Sequence, residues 1–484
     1  MRLSIICILT MLTLLFSPCS GSCNDYYVRT DGSDTNCNGS ADVAASAGLS
    51  PNCAYATIGK AESVLTTGTH TVHIAAGNYP EQVTVNVSGT STSNRITFIG
   101  TGTVTVRAIK LTSADYITLN NLTIGWTGNS YPWSAHLIID GGSDYAIITG
   151  CIVNGGNVSG IDGVSIYGNN GLLTGTKITG IKDATCVELG NLSGTAPGTT
   201  GVTATNNLIT DNVSTDAFRI HGSNLTISYN EIRNNVYPGE GNHPDVFQWF
   251  PNDNNCANSY SIRNVTIEGN YAHDMESQLY FGNNVCYASG TVVENIVFRN
   301  NVFYNVGFMG QTYSTDPMTN ISFYNNVFHK VGHKYYLYGT QRSYATHAIS
   351  ASSGVTRSEV KNNIFLECGD EPAINSQGFY SFGSGYTISN NYVAGPSYAP
   401  KGTAYFRESI PPSISGGDPK FIDEAGHDYR LQSSSPLIDR GVSISSFNTD
   451  RDGVSRPEPW DIGAYEHNGS VISTPKNLQI KLGN

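Results

Sequence analysis

Charge is scarce in this chain. Only 13% of its 484 residues are Asp, Glu, Lys or Arg, too few for a coiled coil or a disordered solvating segment. Basic residues are the scarcer kind: 26 Lys and Arg stand against 38 Asp and Glu, a formal net charge of −12. That balance argues against non-specific binding to nucleic acid or anionic membranes and leaves an acidic ligand to a local basic patch or to calcium. Helical periodicity is almost missing after residue 66, which excludes helical-hairpin and leucine-rich repeats. Past the first residues no apolar run reaches the roughly 20 needed to span a bilayer as a helix. The cysteines show no spacing of the kind that holds zinc.

What is present is glycine and tyrosine, 52 and 28 residues, and a phrase that keeps returning. It begins with an asparagine and runs into apolar residues at Asn207, Asn230, Asn270, Asn301, Asn326, Asn363 and Asn391. Successive members are 23, 40, 31, 25, 37 and 28 residues apart, the irregular period of a solenoid. Each asparagine precedes a strand-length stretch rich in Val, Ile, Phe, Tyr and Thr, with Gly, Asn, Asp and Ser before the next. Coils of short parallel strands fit this pattern, so the fold class is all-β, a parallel β-helix. An inward asparagine at each bend can bond its equivalent one rung away, which satisfies an otherwise buried polar group. The repeat is therefore read as structural.

The first residues carry Arg2, an apolar run from Ile5 to Phe16 and small residues up to Ser22, the layout of a secretory signal. A secreted, extracellular protein is expected. Lipid anchoring through Cys23 is the weaker alternative, because Ser20-Gly21-Ser22-Cys23 lacks the aliphatic residue a lipobox carries. In an oxidising compartment the close pairs Cys37 with Cys53 and Cys256 with Cys286 are disulfide candidates. Cys151, Cys186 and Cys368 sit in apolar stretches and read as buried small hydrophobes.

Along the chain, residues 1–22 form the signal and 23–69 an N-terminal cap, in which Ile58, Ala61, Val64 and Leu65 behind Thr57 have the spacing of a short covering helix. Residues 70–400 form the β-helix. Residues 401–467 lose the rung pattern and are read as an irregular C-terminal cap segment, and 468–484 as a flexible tail. The opening "YYVRTDGSD…YATIGKA…VHIAAGNYPEQV", the rungs, and the closing "DPKF…YRLQSSSPLIDRG…DRDG…WDIGAYEH" resemble secreted bacterial proteins of the pectate lyase-like superfamily. The resemblance covers nearly the whole mature chain and implies a right-handed parallel β-helix with a carbohydrate-related function. That superfamily includes lyases, glycoside hydrolases, epimerases, tailspikes and adhesins, so it does not select an activity.

A second register appears when phrases are aligned by their aspartates, at Asp162, Asp216 and Asp245, with Asp183 joining by one extra residue. On successive rungs these would stack about 4.8 Å apart. Strand alternation then turns Ser165, Glu188, Arg219 and Gln248 away from the core on one face, with His221 two residues beyond Arg219. Just before Asp245 the chain adds Glu240 and His243. Asp162 and Asp183 read first as turn residues, and Trp249 as core. The catalytic candidates are thus Asp216, Arg219, His221, His243 and Asp245, with Glu188, Gln248 and Glu240 as substrate-binding residues. The later histidines His329 and His333 stand in reserve.

Two cleavage chemistries use such a cluster. A polysaccharide lyase needs a base, His221 or His243, and a cation to neutralise the uronate, either Arg219 or calcium on Asp216 and Asp245. A glycoside hydrolase needs paired carboxylates, for which Asp216 and Asp245 would serve. The lyase is favoured, and a non-catalytic glycan-binding surface protein is the remaining alternative. The expected partner is a polysaccharide, with no nucleic acid, no transmembrane segment and a monomeric state. Non-reducing peptide mapping is expected to recover both disulfides; four free thiols would reject the pairing.

Overall fold

The computed structural model describes residues 23–125, 133–190, 198–238, 244–250, 261–282, 292–312, 317–332, 336–337, 340–341, 347–351, 354–368, 377–381, 385–400 and 413–467. The signal, the tail, Glu240, His243, His333, Cys256 and Cys286 lie outside them. Among the described residues 32 strands join one continuous hydrogen-bonded system. Their pairing is parallel, and each strand meets its counterpart one rung away.

Three faces result. The first carries Leu172–Thr174, Thr203–Thr205, Leu225–Ser228, Ile262–Glu268 and Val293–Arg299 in succession. The second carries Lys177–Thr179, Leu208–Val213 and Glu231–Val236, continued by the start of Tyr271–Gly282. The third carries Ala135–Ile139, Asp162–Ile166, Thr185–Leu189, Asp216–Ile220 and Asp245–Trp249, continued by the end of Tyr271–Gly282. No helix among the described residues is long and apolar enough to cross a membrane.

The bend between the first and second faces is built from two residues. One sits in the left-handed region, at Asn206, Tyr229, Gly269, Asn300, Asn325, Asn362 and Asn390. The next is the repeated asparagine, turned inward and buried. Asn207 Nδ2 donates to Asn230 Oδ1 at 2.9 Å, Asn230 to Asn270 at 2.9 Å, Asn270 to Asn301 at 3.0 Å and Asn301 to Asn326 at 2.9 Å. Asn326 and Asn363 continue the ladder to Asn391. Each amide also donates to a strand carbonyl, as Asn301 does to Ile267 O at 2.8 Å. The backbone N–H of each asparagine bonds the same Oδ1 of the next, as Asn270 N does to Asn301 at 2.9 Å. Every polar atom of the column is thereby satisfied in a dry interior.

The interior beside this column is aromatic and aliphatic. Phe298 and Phe323 stack at 4.9 Å, and Phe328 and Phe365 at 4.8 Å. Trp249 belongs to this core, wholly buried and stacked on Tyr280 at 5.1 Å. Its neighbour one rung on is Gly282, where a Cβ would stand 2.2 Å from the indole; glycine there makes room for the ring.

Both ends of the described chain fold onto the coil. The helix Ile58–Ser63 is capped by Thr57, whose hydroxyl accepts from Lys60 N at 3.1 Å. It buries Ile58 and Ala61, and it ends two residues earlier than the apolar spacing implies. Its first amides, Ile58 N and Gly59 N, donate to the Glu81 carboxylate at 2.7 and 2.9 Å. The Cys37–Cys53 disulfide is formed, with Cα atoms 4.9 Å apart. Cys151, Cys186 and Cys368 are buried, as their apolar surroundings imply.

The C-terminal segment adds no further rung after Ile414–Ser415. It runs back along the coil, reading the left-handed asparagines from outside: Asn390 Nδ2 donates to Arg440 O, Asn362 to Val442 O, Asn325 to Asp461 O and Asn300 to Thr449 O, all at 2.7 to 3.0 Å. A buried pair, Arg456 with Glu466 at 2.7 Å, ties the segment together, and Arg456 also donates to Asn300 Oδ1 at 3.1 Å.

Loss of one ladder member strands donors and acceptors on both neighbouring rungs. Asn301→Ala is expected to cost at least about 3 kcal/mol, because each buried polar group left unpaired costs about 1–3 kcal/mol. Asn264 belongs to an exposed ladder and bonds Asn224 at 2.9 Å; Asn264→Gly keeps its left-handed backbone and should stay within about 1 kcal/mol. Chemical denaturation of the two variants checks the contrast, and equal losses would reject the ladder's role.

Candidate functional site

The third face brings the expected residues into one column. Ser165, Glu188, Arg219 and Gln248 are direct partners on four successive strands. At the strand starts, Asp162 Oδ1 accepts from Thr185 N at 2.7 Å and Asp216 Oδ1 from Asp245 N at 3.0 Å. Asp216 pairs with Thr185 across the rungs, so Asp183 does not enter the aspartate column. It lies in the preceding turn, in the left-handed region, and accepts from the Ser159 hydroxyl at 2.8 Å. The extra residue in its phrase is spent on that turn.

Two side-chain pairs lock the wall. Arg219 Nη2 donates to Asp216 Oδ2 at 2.5 Å, and its Nε donates to Gln248 Oε1 at 3.1 Å. Gln248 Nε2 donates in turn to Asp245 Oδ2 at 2.7 Å. Asp216 and Asp245 are nearly or wholly buried, while a quarter of the Arg219 side chain stays exposed. The aspartates therefore orient the guanidinium and the amide.

Glu188 stands one strand from Arg219 and takes a hydrogen bond from Tyr167 Oη at 2.7 Å. Burial raises its pKa to about 7; the Tyr167 bond and Arg219 oppose the shift, and Asp162 adds to it. A carboxyl group that changes charge near neutral pH, partly accessible, is suited to proton transfer.

His221 shares the outward face, as alternation requires, but it is wholly buried beneath Phe250, whose ring meets it edge-on at 4.7 Å. Its Nδ1 lies 3.1 Å from Phe250 O and its Nε2 lies 4.0 Å from Glu188 Oε1. Burial first, then the Arg219 charge, lower its pKa to about 3. The carbonyl takes the Nδ1 proton, so a neutral imidazole turns its Nε2 lone pair towards Glu188. Wholly buried, with its Nε2 4.0 Å from Glu188, His221 does not reach the surface on which the expectation had it abstract a substrate proton.

Tyr167 and Phe250 are members of the column that the residue-type reading passes over. Each lies two residues beyond Ser165 or Gln248, as His221 lies beyond Arg219, so the same alternation carried one step further finds them. The fourth member of that outer column is Gly190, at φ +95°, where a Cβ would stand 2.6 Å from His221 O. A side chain there would run into the His221 backbone.

The residues present do not fit the expected calcium ion. Both Asp216 oxygens and one of Asp245 already accept hydrogen bonds, and Arg219 holds the cationic position between the rungs. Among the described residues no three His, Cys, Asp or Glu side chains converge as a metal site.

No family model and no curated protein matches the chain. Solved structures do. A pectate lyase, Pel9A, superposes with a TM-score of 0.52 at 16% identity over 93% of this chain and 98% of its own. The fold is the right-handed parallel β-helix. A second β-helix protein, XylC in complex with xylose, gives a TM-score of 0.51 at 13% identity, covering 91% of this chain and 98% of that one. At these identities the likeness is one of fold.

The raised pKa of Glu188 makes stability depend on pH. Below the ordinary carboxyl value both folded and unfolded chains hold the proton. Between about 4.5 and 7 only the folded one does, so stability falls as pH rises through this window. The loss reaches at most about 3 kcal/mol. Glu188→Gln should flatten the fall in thermal midpoint between pH 5 and 8; an unchanged slope would show that this carboxyl is not the source.

Proposed function

We propose that this protein acts outside the cell on a uronate-containing polysaccharide and cleaves it by β-elimination on the outer wall of the third face. The observation that carries the reading is the placement of a partly exposed guanidinium, Arg219, directly beside a carboxyl group that titrates near neutrality, Glu188. Arg219, held by Asp216, donates from its remaining N–H groups to the uronate carboxylate and so acidifies the neighbouring C–H. Glu188, ionised, takes that proton. The C–O bond to the leaving sugar breaks as the C=C bond forms, and the departing oxygen collects a proton from the Tyr167–Glu188 pair. Asp216 holds the Arg219 guanidinium from behind.

Hydrolysis fits less well. It needs a second carboxylate free to act on substrate or water, and Asp216 and Asp245 are committed to Arg219, Gln248 and the backbone. The fold is also that of a pectate lyase and of a protein solved with xylose, which supports a carbohydrate partner. Secretion is supported by the Arg2 to Ser22 signal pattern.

The test is to incubate the protein with acidic and neutral polysaccharides, following ultraviolet absorbance of unsaturated products and new reducing ends. Unsaturated ends are expected. Reducing ends without them would mean hydrolysis, and binding with neither would mean a glycan-binding protein. Arg219→Ala and Glu188→Gln should each lower turnover about 10²- to 10⁴-fold with unchanged circular dichroism. In the parent protein the rate should rise with pH through about 7, the limb that Glu188→Gln removes.

A further inference from the structure

The ladder bend departs from its pattern at two neighbouring rungs. Five rungs place asparagine in the left-handed position, but Tyr229 and Gly269 occupy the other two. Asparagine adopts this conformation readily, whereas a bulky aromatic is strained there. Gly269 accommodates the ring: a Cβ at that position would lie 2.6 Å from Tyr229 Cε1. Tyr116 and Tyr145 also adopt this conformation, so what distinguishes Tyr229 is that the next rung clears space for its ring.

That ring lines a cavity of about 520 Å³ between the second face and the C-terminal segment, a size typical of small-molecule sites. The opposite wall comes from His427 and Arg451. Tyr271 stacks on His273 at 4.1 Å, and its hydroxyl lies 2.9 Å from His427 Nδ1. Glu231 is kept ionised by His273 at 3.5 Å and Arg233 at 2.8 Å. Arg451 donates from Nη1 to Tyr465 Oη at 3.1 Å, while its Nε is buried without a hydrogen-bond partner. A guanidinium lining a cleft offers its N–H groups to an oxygen-rich ligand. Aromatic faces with one ionised acceptor and one waiting donor are the chemistry that holds a sugar ring.

We propose that this cleft is a second saccharide-binding site, in which a pyranose lies against Tyr229, donates a hydroxyl to Glu231 and places a hydroxyl or carboxylate oxygen on the Arg451 guanidinium. The strand at Glu231 leads directly into the rung that carries Gln248, so the cleft and the Arg219 wall lie at the same level on adjacent faces. The saccharide class rests on the polysaccharide reading above; the position rests on the cleft alone.

Binding of trigalacturonate and xylotriose is measured by calorimetry and saturation-transfer NMR on the full Arg219→Ala protein, in which turnover is expected to be about 10²- to 10⁴-fold slower. At least one trisaccharide should bind, and Arg451→Gln or Tyr229→Asn in that background should weaken it at least ten-fold. Tyr229→Asn installs the residue that the other rungs carry, so the bend is kept; unchanged thermal midpoints confirm it. Preference for trigalacturonate identifies a carboxylate on Arg451, and equal binding identifies a hydroxyl. Absence of binding by both sugars, or unaltered affinity in both variants, overturns the proposal. Binding at the cleft by a protein that cleaves nothing leaves this site standing and removes the cleavage reading instead.

Discussion

The side-chain amide ladder from Asn207 to Asn391 is the interaction on which the remaining geometry depends. Parallel strands with apolar interiors can slide by two residues without exposing a hydrophobic side chain, so core burial alone leaves the register underdetermined. An amide that must meet the Oδ1 and N–H of the next rung removes that freedom, because a slip would leave buried donors and acceptors unpaired. The bend is thereby held at one point in every rung, although the loops between rungs differ in length. Where the ladder stops, the hydroxyl of Ser413 receives Asn391 N at 3.1 Å and closes the column.

Register in turn creates the chemistry of the third face. Glu188, Arg219 and Gln248 come from phrases 31 and 29 residues apart, yet meet as direct cross-strand partners. Stacking side chains at strand spacing forces like and unlike charges together, and the arrangement settles each of them. Asp216 is paired with Arg219, Asp245 is bonded by Gln248, and Glu188, whose burial outweighs the Tyr167 hydrogen bond and the Arg219 charge, is left with a pKa raised to about 7. The wall is thus differentiated into orienting groups and one proton-transfer group by position along the coil.

The C-terminal segment uses the same bend from its other side. The inward asparagines bond each other, while Asn300, Asn325, Asn362 and Asn390 turn outward and bind carbonyls of the returning chain. The two rungs without an outward asparagine, at Tyr229 and Gly269, lie beside the cleft, where the returning chain arches over the coil.

The sequence by itself determined the fold class, the ladder, the Cys37–Cys53 bridge and the membership of the Ser165, Glu188, Arg219 and Gln248 column. All of these follow from short-range periodicity, which a solenoid repeats in space with little change. The role of each residue was decided only by tertiary structure. His221 and Arg219 obey the same alternation, but Phe250 covers one and leaves the other partly open, and burial is a property of the neighbouring rung. Asp183 matches the aspartate phrase in type, but one extra residue spent on a turn moves it out of the column. The cleft was the least legible feature, since Glu231 and Arg451 are 220 positions apart. They meet because the last segment folds back along rungs laid down long before it, a contact that no local pattern encodes.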